Sequence, residues 1–404
     1  MILGPGRQRP SLGAPERRRL WSVTPLILVL ATAAGGAGQQ PGELAARLDR
    51  LLGPQGGPNT PGLAVAVGVD GRVVYGRGFG MADLESGVPI TPETIFYAAS
   101  VSKQFTAACL ATLVVEGVID ADEHVRSLLP ELAPLYRQVT LRHLVHHTSG
   151  IPDFYLAMEK EGHHPLLDTH TPDLVMTLLN RQSALTSRPG TRFAYSNSNY
   201  FLIARVVERL TGEPLDRFAR RRLFEPLGLA DTAFQHDPTK PVPGRATAYG
   251  RTPDGFDRNQ ARTPLVGAGG LNTTVLDLIR WDHALAHGTL GSDLTRLIHT
   301  PGRTGMRTID YAWGLWIRER KGLSTVEHGG SLAGFRSALL RLPRHRLTVA
   351  ILANSAEATA THTAHETART VLTLPRRVRR TLLTENQQPP FLGEARRPEP
   401  AIPQ

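Results

Sequence analysis

The feature that most constrains this chain is the placement of its β-rich sequence, which sits at both ends and is nearly missing between them. Near the start, "LAVAVGVDGRVVYGRGFG" (residues 63–80) holds two β-rich runs joined at Asp70-Gly71. That dipeptide supplies the positive φ angles of a tight hairpin turn. Near the end, "YAWGLWIRER", "STVEHGGS" and "RSALLRLPRHRLTVAILANS" are again β-rich, the last holding two runs joined by a short turn at Pro343 to Arg346. Residues of about 125–290 alternate helical patterns with Pro- and Gly-rich loops, and few strands are evident there. An amphipathic helical pattern, "PGELAARLDRLL", precedes the first hairpin, and another at about 357–373 follows the last strand. Strands from both ends with helices between predict an α+β fold. Its antiparallel β-sheet is formed by the N- and C-terminal segments and flanked by helices, with a mostly helical lobe inserted at about 125–290.

Composition matters here mainly through charge. The chain carries a net charge of +10, which suggests nucleic acid until it is located. Residues 1–40 contain five Arg and one Glu, and residues 376–404 contain six Arg and three Glu, so only +3 remains for the middle. The body is therefore not read as nucleic-acid-binding. The basic N-terminal flank, the apolar run Val23 to Ala34 and the small residues after it predict a signal peptide over residues 1–39, and so an exported protein, periplasmic or secreted. Arg17-Arg18-Arg19 weakly matches a twin-arginine signal, and an Arg-rich transit peptide is the competing reading. A globular domain is expected over residues 40–375. The Pro-rich basic segment 376–404 reads as a disordered tail able to make electrostatic contact with an anionic surface. The one cysteine, Cys109, lies among apolar neighbours and reads as a small buried hydrophobe.

Within "FYAASVSKQFTAACLATLVVEG" (residues 96–117) stands Lys103, one of only four lysines against 42 arginines. Phe105 to Val115 is apolar on nearly every face, which predicts a buried helix. Ser100 and Lys103 are three apart at its start and share a face. A serine hydroxyl is a poor nucleophile unless a base takes its proton. Lysine is able to act as that base when burial lowers its pKa, whereas arginine stays protonated. An S-x-x-K pair alone is equally compatible with a lysine whose stem covers apolar surface.

Two further clusters narrow the reading. "PGTRFAYSNSNY" (residues 189–200) puts Tyr195 and Asn197 two apart, on one side of an extended segment. Tyr195 offers a hydroxyl that shuttles protons, and the Asn197 amide is able to hold both a substrate carbonyl and the lysine. "VEHGGSLAGF" (residues 326–335) places His328-Gly329-Gly330 on a strand. Glycines weaken a strand unless something approaches its backbone closely. Such an edge is suited to pairing with a substrate chain and to offering an oxyanion-binding N–H.

Ser100-Val-Ser-Lys103, Tyr195-Ser-Asn197 and His328-Gly329-Gly330, in that order, resemble the three motifs of the penicillin-recognising serine hydrolases. The tyrosine-led second motif and histidine-led third motif are similar to those of the class C β-lactamase, D-alanyl-D-alanine carboxypeptidase and esterase branch. "LRHLVHHTSGIPDF" and "PGTRFAYSNSNYFLIARVVERLTG" also read like that family's connecting segments, and the likeness covers about residues 41–373. The resemblance implies a β-lactamase/transpeptidase-like fold and a serine hydrolase acting through an acyl-enzyme. Ser100 would be the nucleophile, Lys103 its proton partner, Tyr195 a general base or acid, and Asn197 the residue positioning Lys103 and the substrate. The backbone N–H groups of Ser100 and Ser331 would form the oxyanion hole. No metal or organic cofactor is implied, and the partner would be a small-molecule or peptide substrate. One departure stands out: where β-lactamases carry Lys, then Ser or Thr, this chain has His328 and Gly329, which favours an ester, amide or peptide over a β-lactam. Arg336 is the nearby cation to be weighed as a replacement. A non-turnover acyl-binding sensor or scaffold of the same fold is the alternative.

Two other patterns are set aside. His143, His146 and His147 have i, i+3, i+4 spacing, but no H-E-x-x-H accompanies them. "GGSLA" (329–333) is one residue short of a nucleophile elbow and precedes a strand rather than a helix.

Overall fold

Strand β1 (Leu63–Val69) shows how the two ends of the chain meet. All seven of its residues are buried, and they divide by alternation. Leu63, Val65, Val67 and Val69 enter one apolar cluster, while Ala64 and Ala66 enter another. A strand buried on both faces must be central, because alternate side chains leave opposite faces of the sheet. Its neighbours are β2 (Arg72–Phe79) and β6 (Leu347–Ala353), so the first hairpin pairs with the last strand of the chain. Beyond β6 lie β5 (Phe335–Leu342), β4 (Leu323–Leu332) and β3 (Trp316–Arg320). The antiparallel order is β3-β4-β5-β6-β1-β2. Asp70 and Gly71 take φ angles of 56° and 78°, as the two-residue hairpin turn requires.

This is a computed structural model. It describes residues 40–375, apart from 236, 238, 239, 263–265 and 321, together with 378 and 382. All of these belong to one compact unit, residues 39–404. The expected signal at 1–39 and nearly all of the basic tail lie outside the described residues. Two tail residues are described: Val378 is buried in the cluster beneath β1, and the carbonyl of Leu382 accepts a hydrogen bond from Arg72. Packing on the sheet thus continues past residue 375.

Helix α1 (Gln40–Leu52) brings Leu44, Leu48 and Leu52 against one face of the sheet, beside helix α7 (Ala360–Leu372). On the other face lie α5 (Val275–His287) and, further out, α2 (Ser102–Val115). Gly68 lets α5 come close, since a Cβ there would stand 2.7 Å from Ile279 Cγ2. Helix α2 is buried from Ser102 to Leu113, as its all-round apolar sequence requires, and Cys109 is wholly inside it, its thiol pKa pushed up by burial. Phe105 of α2 stacks on Trp281 of α5 with ring centroids 4.1 Å apart. On its lobe side α2 packs against α4 (Asn197–Thr211) and α6 (Ser292–Ile298).

Helices are the main regular structure of residues 125–290, which are otherwise largely loops and also carry short strands. Ala233–Phe234 and Leu271–Thr273 join Phe96–Tyr97 in a three-stranded sheet, and Tyr249–Thr252 pairs with Gly255–Arg258. Runs of two to four residues are too short to show an alternation in sequence. The three-stranded sheet matters for the site: Leu271 accepts a hydrogen bond from Ala98 N at 2.8 Å, anchoring the segment that leads into Ser100. Helix α5, at the end of this region, packs on β1 and β6 of the main sheet.

Candidate active site

Ser100 lies in a single 3₁₀ turn, Ala99–Val101, that runs directly into α2. Ala99 has φ 47°, a left-handed conformation costing a non-glycine residue about 1–2 kcal/mol. Such strain persists where surrounding contacts over-determine the backbone. Here Ser102 Oγ donates to Ala99 O, and Gly330 of β4 presses on the turn from the sheet side. A Cβ on Gly330 would stand 2.6 Å from Ala98 O and 2.8 Å from Ser100 N. The glycine therefore answers the close approach that a strand glycine suggests, and what approaches is the turn that carries Ser100.

Lys103 is fully buried. Its Nζ lies 3.1 Å from Ser100 Oγ, 2.9 Å from Asn197 Oδ1 and 2.6 Å from Ala268 O. The rings of Tyr195 and Tyr200 flank it, with centroids 5.0 and 5.7 Å away. Burial lowers its pKa to about 7, the negative charge of Asp153 opposing the shift. A large share of Lys103 is thus neutral near pH 7, and a neutral amine has two N–H donors and one lone pair. The oxygens of Asn197 and Ala268 accept only, so they take the two N–H groups. The lone pair is left facing Ser100, the one neighbour with a proton to give.

The orientation of Asn197 is set by Asp153. Asn197 Nδ2 and its backbone N–H both donate to Asp153 Oδ2, at 2.8 and 2.7 Å, which turns Oδ1 toward Lys103. The other oxygen of Asp153 accepts from Tyr155 N at 2.9 Å and caps helix α3 (Phe154–Lys160). Sequence patterns do not single out Asp153. An Asp before an apolar helical run signals a cap, but nothing local signals its bond to a residue 44 positions later. Asp153→Asn is expected to lower kcat for ester hydrolysis on the order of tenfold, the loss of one charge-assisted hydrogen bond of about 1.5 kcal/mol. It also removes the charge that raises the Lys103 pKa, so the acid limb of the pH–rate profile should move to lower pH. A limb that stays in place would show that the carboxylate does not act on Lys103.

Tyr195 stands on the same side of the chain as Asn197, as the spacing predicts, with Ser196 between them extended (φ −147°, ψ 127°). Burial raises the phenol pKa and the charge of Asp153 adds to the rise, while a hydrogen bond with Ser100 opposes it. The phenol is therefore protonated at neutral pH. Beneath it lies His147, with ring centroids 4.2 Å apart. His147 Nδ1 accepts from Ser196 N at 3.2 Å and from Asn199 Nδ2 at 2.9 Å, leaving the proton on Nε2. Burial and the neighbouring Lys103 hold its pKa well below the usual value. His147 thus supports the Tyr195-Ser196-Asn197 segment, and its two companions point elsewhere. His143 Nδ1 accepts from Thr140 N, and the His146 ring bonds Arg142 O and Thr300 O. Among the described residues no cluster of His, Cys, Asp and Glu is gathered to hold a metal ion.

The third motif is divided by strand alternation. His328 and Gly330 share the face toward Ser100, while Gly329 faces α7, where a Cβ would stand 2.6 Å from Thr361 Oγ1. His328 is buried; its Nε2 accepts from the Tyr311 hydroxyl at 3.1 Å and its Nδ1 donates to Gly329 O at 2.6 Å. Burial, with Lys103 close by, takes its pKa down to about 3, so it is a neutral group and not a cation for a carboxylate. Ser331 is exposed and falls on the Gly329 face, which leaves its backbone as the part available to the site. Arg336 is paired across from Ser331, but its Nη1 donates to the carbonyls of Ala333 and Phe335, at 2.7 and 2.8 Å. Strand β3 pairs with β4 only over Leu323–Glu327. Among the described residues, 328–332 have a strand partner on the β5 side alone, so an open edge runs past Ser100. Tyr311, which no sequence motif marks, is fully buried and joins the second motif to the third.

A six-stranded antiparallel sheet closed by both chain ends, with a serine–lysine pair at its edge and a Tyr-x-Asn segment across from it, defines the class of β-lactamase-fold serine hydrolases. The chain belongs to the Beta-lactamase family, whose model matches residues 48–373. It is 29% identical to a D-aminopeptidase of Gluconobacter oxydans over 298 residues, 73% of this chain and 56% of that protein. It is also 29% identical to penicillin-binding protein 4* of Bacillus subtilis, over 72% of this chain and 67% of the other. The octameric penicillin-binding protein homologue from Pyrococcus abyssi superposes with a TM-score of 0.71 at 26% identity, covering 82% of this chain and 77% of that one. The match thus spans little more than half the length of the D-aminopeptidase.

Proposed function

We propose that this protein is a serine hydrolase that forms an acyl-enzyme on Ser100 and hydrolyses esters, amides or peptides. The observation that carries the proposal is the arrangement at Lys103, whose buried Nζ meets Ser100 Oγ at 3.1 Å while the acceptor oxygens of Asn197 and Ala268 hold its other two sides. Lys103 Nζ takes the Ser100 proton as Oγ attacks the substrate carbonyl. The oxyanion is received by the backbone N–H groups of Ser100 and Ser331. As the tetrahedral intermediate collapses, the protonated Lys103 returns its proton through the Tyr195 hydroxyl to the leaving group. Water then enters by the same route in reverse: its proton passes to the Tyr195–Lys103 pair as the hydroxyl attacks the acyl carbonyl, and Lys103 returns that proton to Ser100 Oγ as the acid is released. With His328 neutral and Arg336 held by the β4–β5 turn, these groups offer no cation to a carboxylate beside the scissile bond. Esters and amides lacking that carboxylate are accordingly the favoured substrates, ahead of β-lactams.

Intact-mass measurement after treatment with a serine-directed fluorophosphonate tests the nucleophile. One adduct is expected on the wild type and none on Ser100→Ala. Product release from a chromogenic ester should then continue past one equivalent. An adduct on both proteins would place the reactive serine elsewhere, and release that stops at one equivalent would mean a sensor rather than an enzyme.

A further inference from the structure

Beside the open edge of β4 lies a strip of half-buried aromatic rings that the chemistry above does not use. Phe193 precedes Tyr195 by two residues, and both rings lie against His147 and Tyr311. The Phe193 ring meets Trp316 at 5.3 Å and Tyr311 at 5.8 Å, and Trp316 meets Tyr311 edge-on at 4.8 Å. Tyr311 is buried and fixes the group, while Phe193 and Trp316 pack one side on the core and keep part of their surface exposed. Trp316 opens β3 directly opposite Glu327, the last paired residue before the free edge at 328–332. Arg318 lies over the Trp316 ring at 3.7 Å, its charge met by Glu327 at 3.7 Å. Glu327 is shared with Arg320, also at 3.7 Å, so the strip is apolar along its rings and closed at its far end by a cation.

We infer that this strip is a substrate subsite that seats a planar apolar group, an aryl ring carried a few bonds from the scissile carbonyl. The inference rests on the hydrolase reading of Ser100 and names its substrate class. Large rings left partly in water beside a site gain most from a ligand that covers them, and a ring stacks on rings better than a chain does. A substrate lying along the open edge would bring a side group to Phe193 and Trp316 while its carbonyl reaches Ser100.

The test uses two ester pairs: methyl 4-phenylbutyrate against methyl butyrate for the acyl side, and 3-phenylpropyl acetate against propyl acetate for the alcohol side. For the wild type, kcat/KM should favour the aryl member of at least one pair by about tenfold or more. In Phe193→Ala and Trp316→Leu that aryl-to-alkyl ratio should collapse toward one, a readout unmoved by a general loss of folded enzyme. A ratio near one in the wild type, or one kept by both variants, overturns the subsite while leaving the Ser100 hydrolase intact. Absence of any ester turnover, together with no fluorophosphonate adduct, would remove the hydrolase reading and this inference with it.

Discussion

Lys103→Arg is expected to lower kcat/KM for ester hydrolysis by about 10³-fold although the charge is kept. General-base catalysis contributes about 10²–10⁴-fold, and arginine forfeits it because it does not deprotonate in a protein. The buried position adds a second penalty, since a guanidinium must fit where Ser100, Asn197 and Ala268 close around a single nitrogen. The same assignment fixes a pH dependence. With its pKa lowered to about 7, Lys103 is protonated and inactive as a base below that pH and neutral above it. Activity should therefore rise with pH through about 7 and level off on the alkaline side, well below the ordinary lysine range. Stopped-flow acylation rates across pH 5–9 on wild type and variant would decide the matter. A wild-type profile flat through neutrality, or a variant within a few-fold of wild type, would rule out Lys103 as the proton acceptor.

The second large effect is expected at Gly330, a residue with no functional group. In Gly330→Ala the new Cβ would stand 2.3 Å from Ser337 Oγ, 2.6 Å from Ala98 O and 2.8 Å from Ser100 N. Two of these atoms are backbone of the Ser100 turn and of the residue that leads into it, so relief comes largely by moving Ser100. Displacing a reacting group by about 1 Å costs on the order of 10²-fold in rate, and overpacking of this kind costs about 1–3 kcal/mol of stability. Gly329→Ala is the matched control. Its Cβ would meet the side-chain oxygen of Thr361, on the opposite face of the sheet, and so should affect stability more than rate. Urea denaturation and kcat measured on both variants separate the two costs. Equal kcat values would mean that the Ser100 turn yields without consequence.

Arginine serves nearly every described ion pair of this protein, most of them exposed, where such contacts are worth about 0–1 kcal/mol. Against that background a lysine just before a largely apolar helical run is conspicuous in the sequence alone, and so are the Asp70-Gly71 turn and the β-rich ends. These features are local: a turn dipeptide, an alternation and a residue spacing each report on neighbours within a few positions. The helix of residues 102–115, the paired β1 and β2, and the common side of Tyr195 and Asn197 follow from them.

Asp153, His147 and Tyr311 are not legible as site residues in the same way. Asp153 reads as a helix cap, His147 as one of three histidines in a row of false metal ligands, and Tyr311 as a strand aromatic. Their roles arise where residues far apart in the chain meet: Asp153 with Asn197, His147 with Ser196, Tyr311 with His328. The split of the third motif, with Gly330 pressed on Ser100 and Gly329 on α7, likewise depends on the strand's orientation. By itself the sequence determined the fold class, because periodicity and turn signals encode local geometry, and the resemblance of its three motifs named the residues expected to carry acyl transfer. Only the tertiary structure decided the protonation of that site. The pKa of Lys103 and the neutrality of His328 come from burial and from charges supplied by distant segments, and no window of sequence contains them.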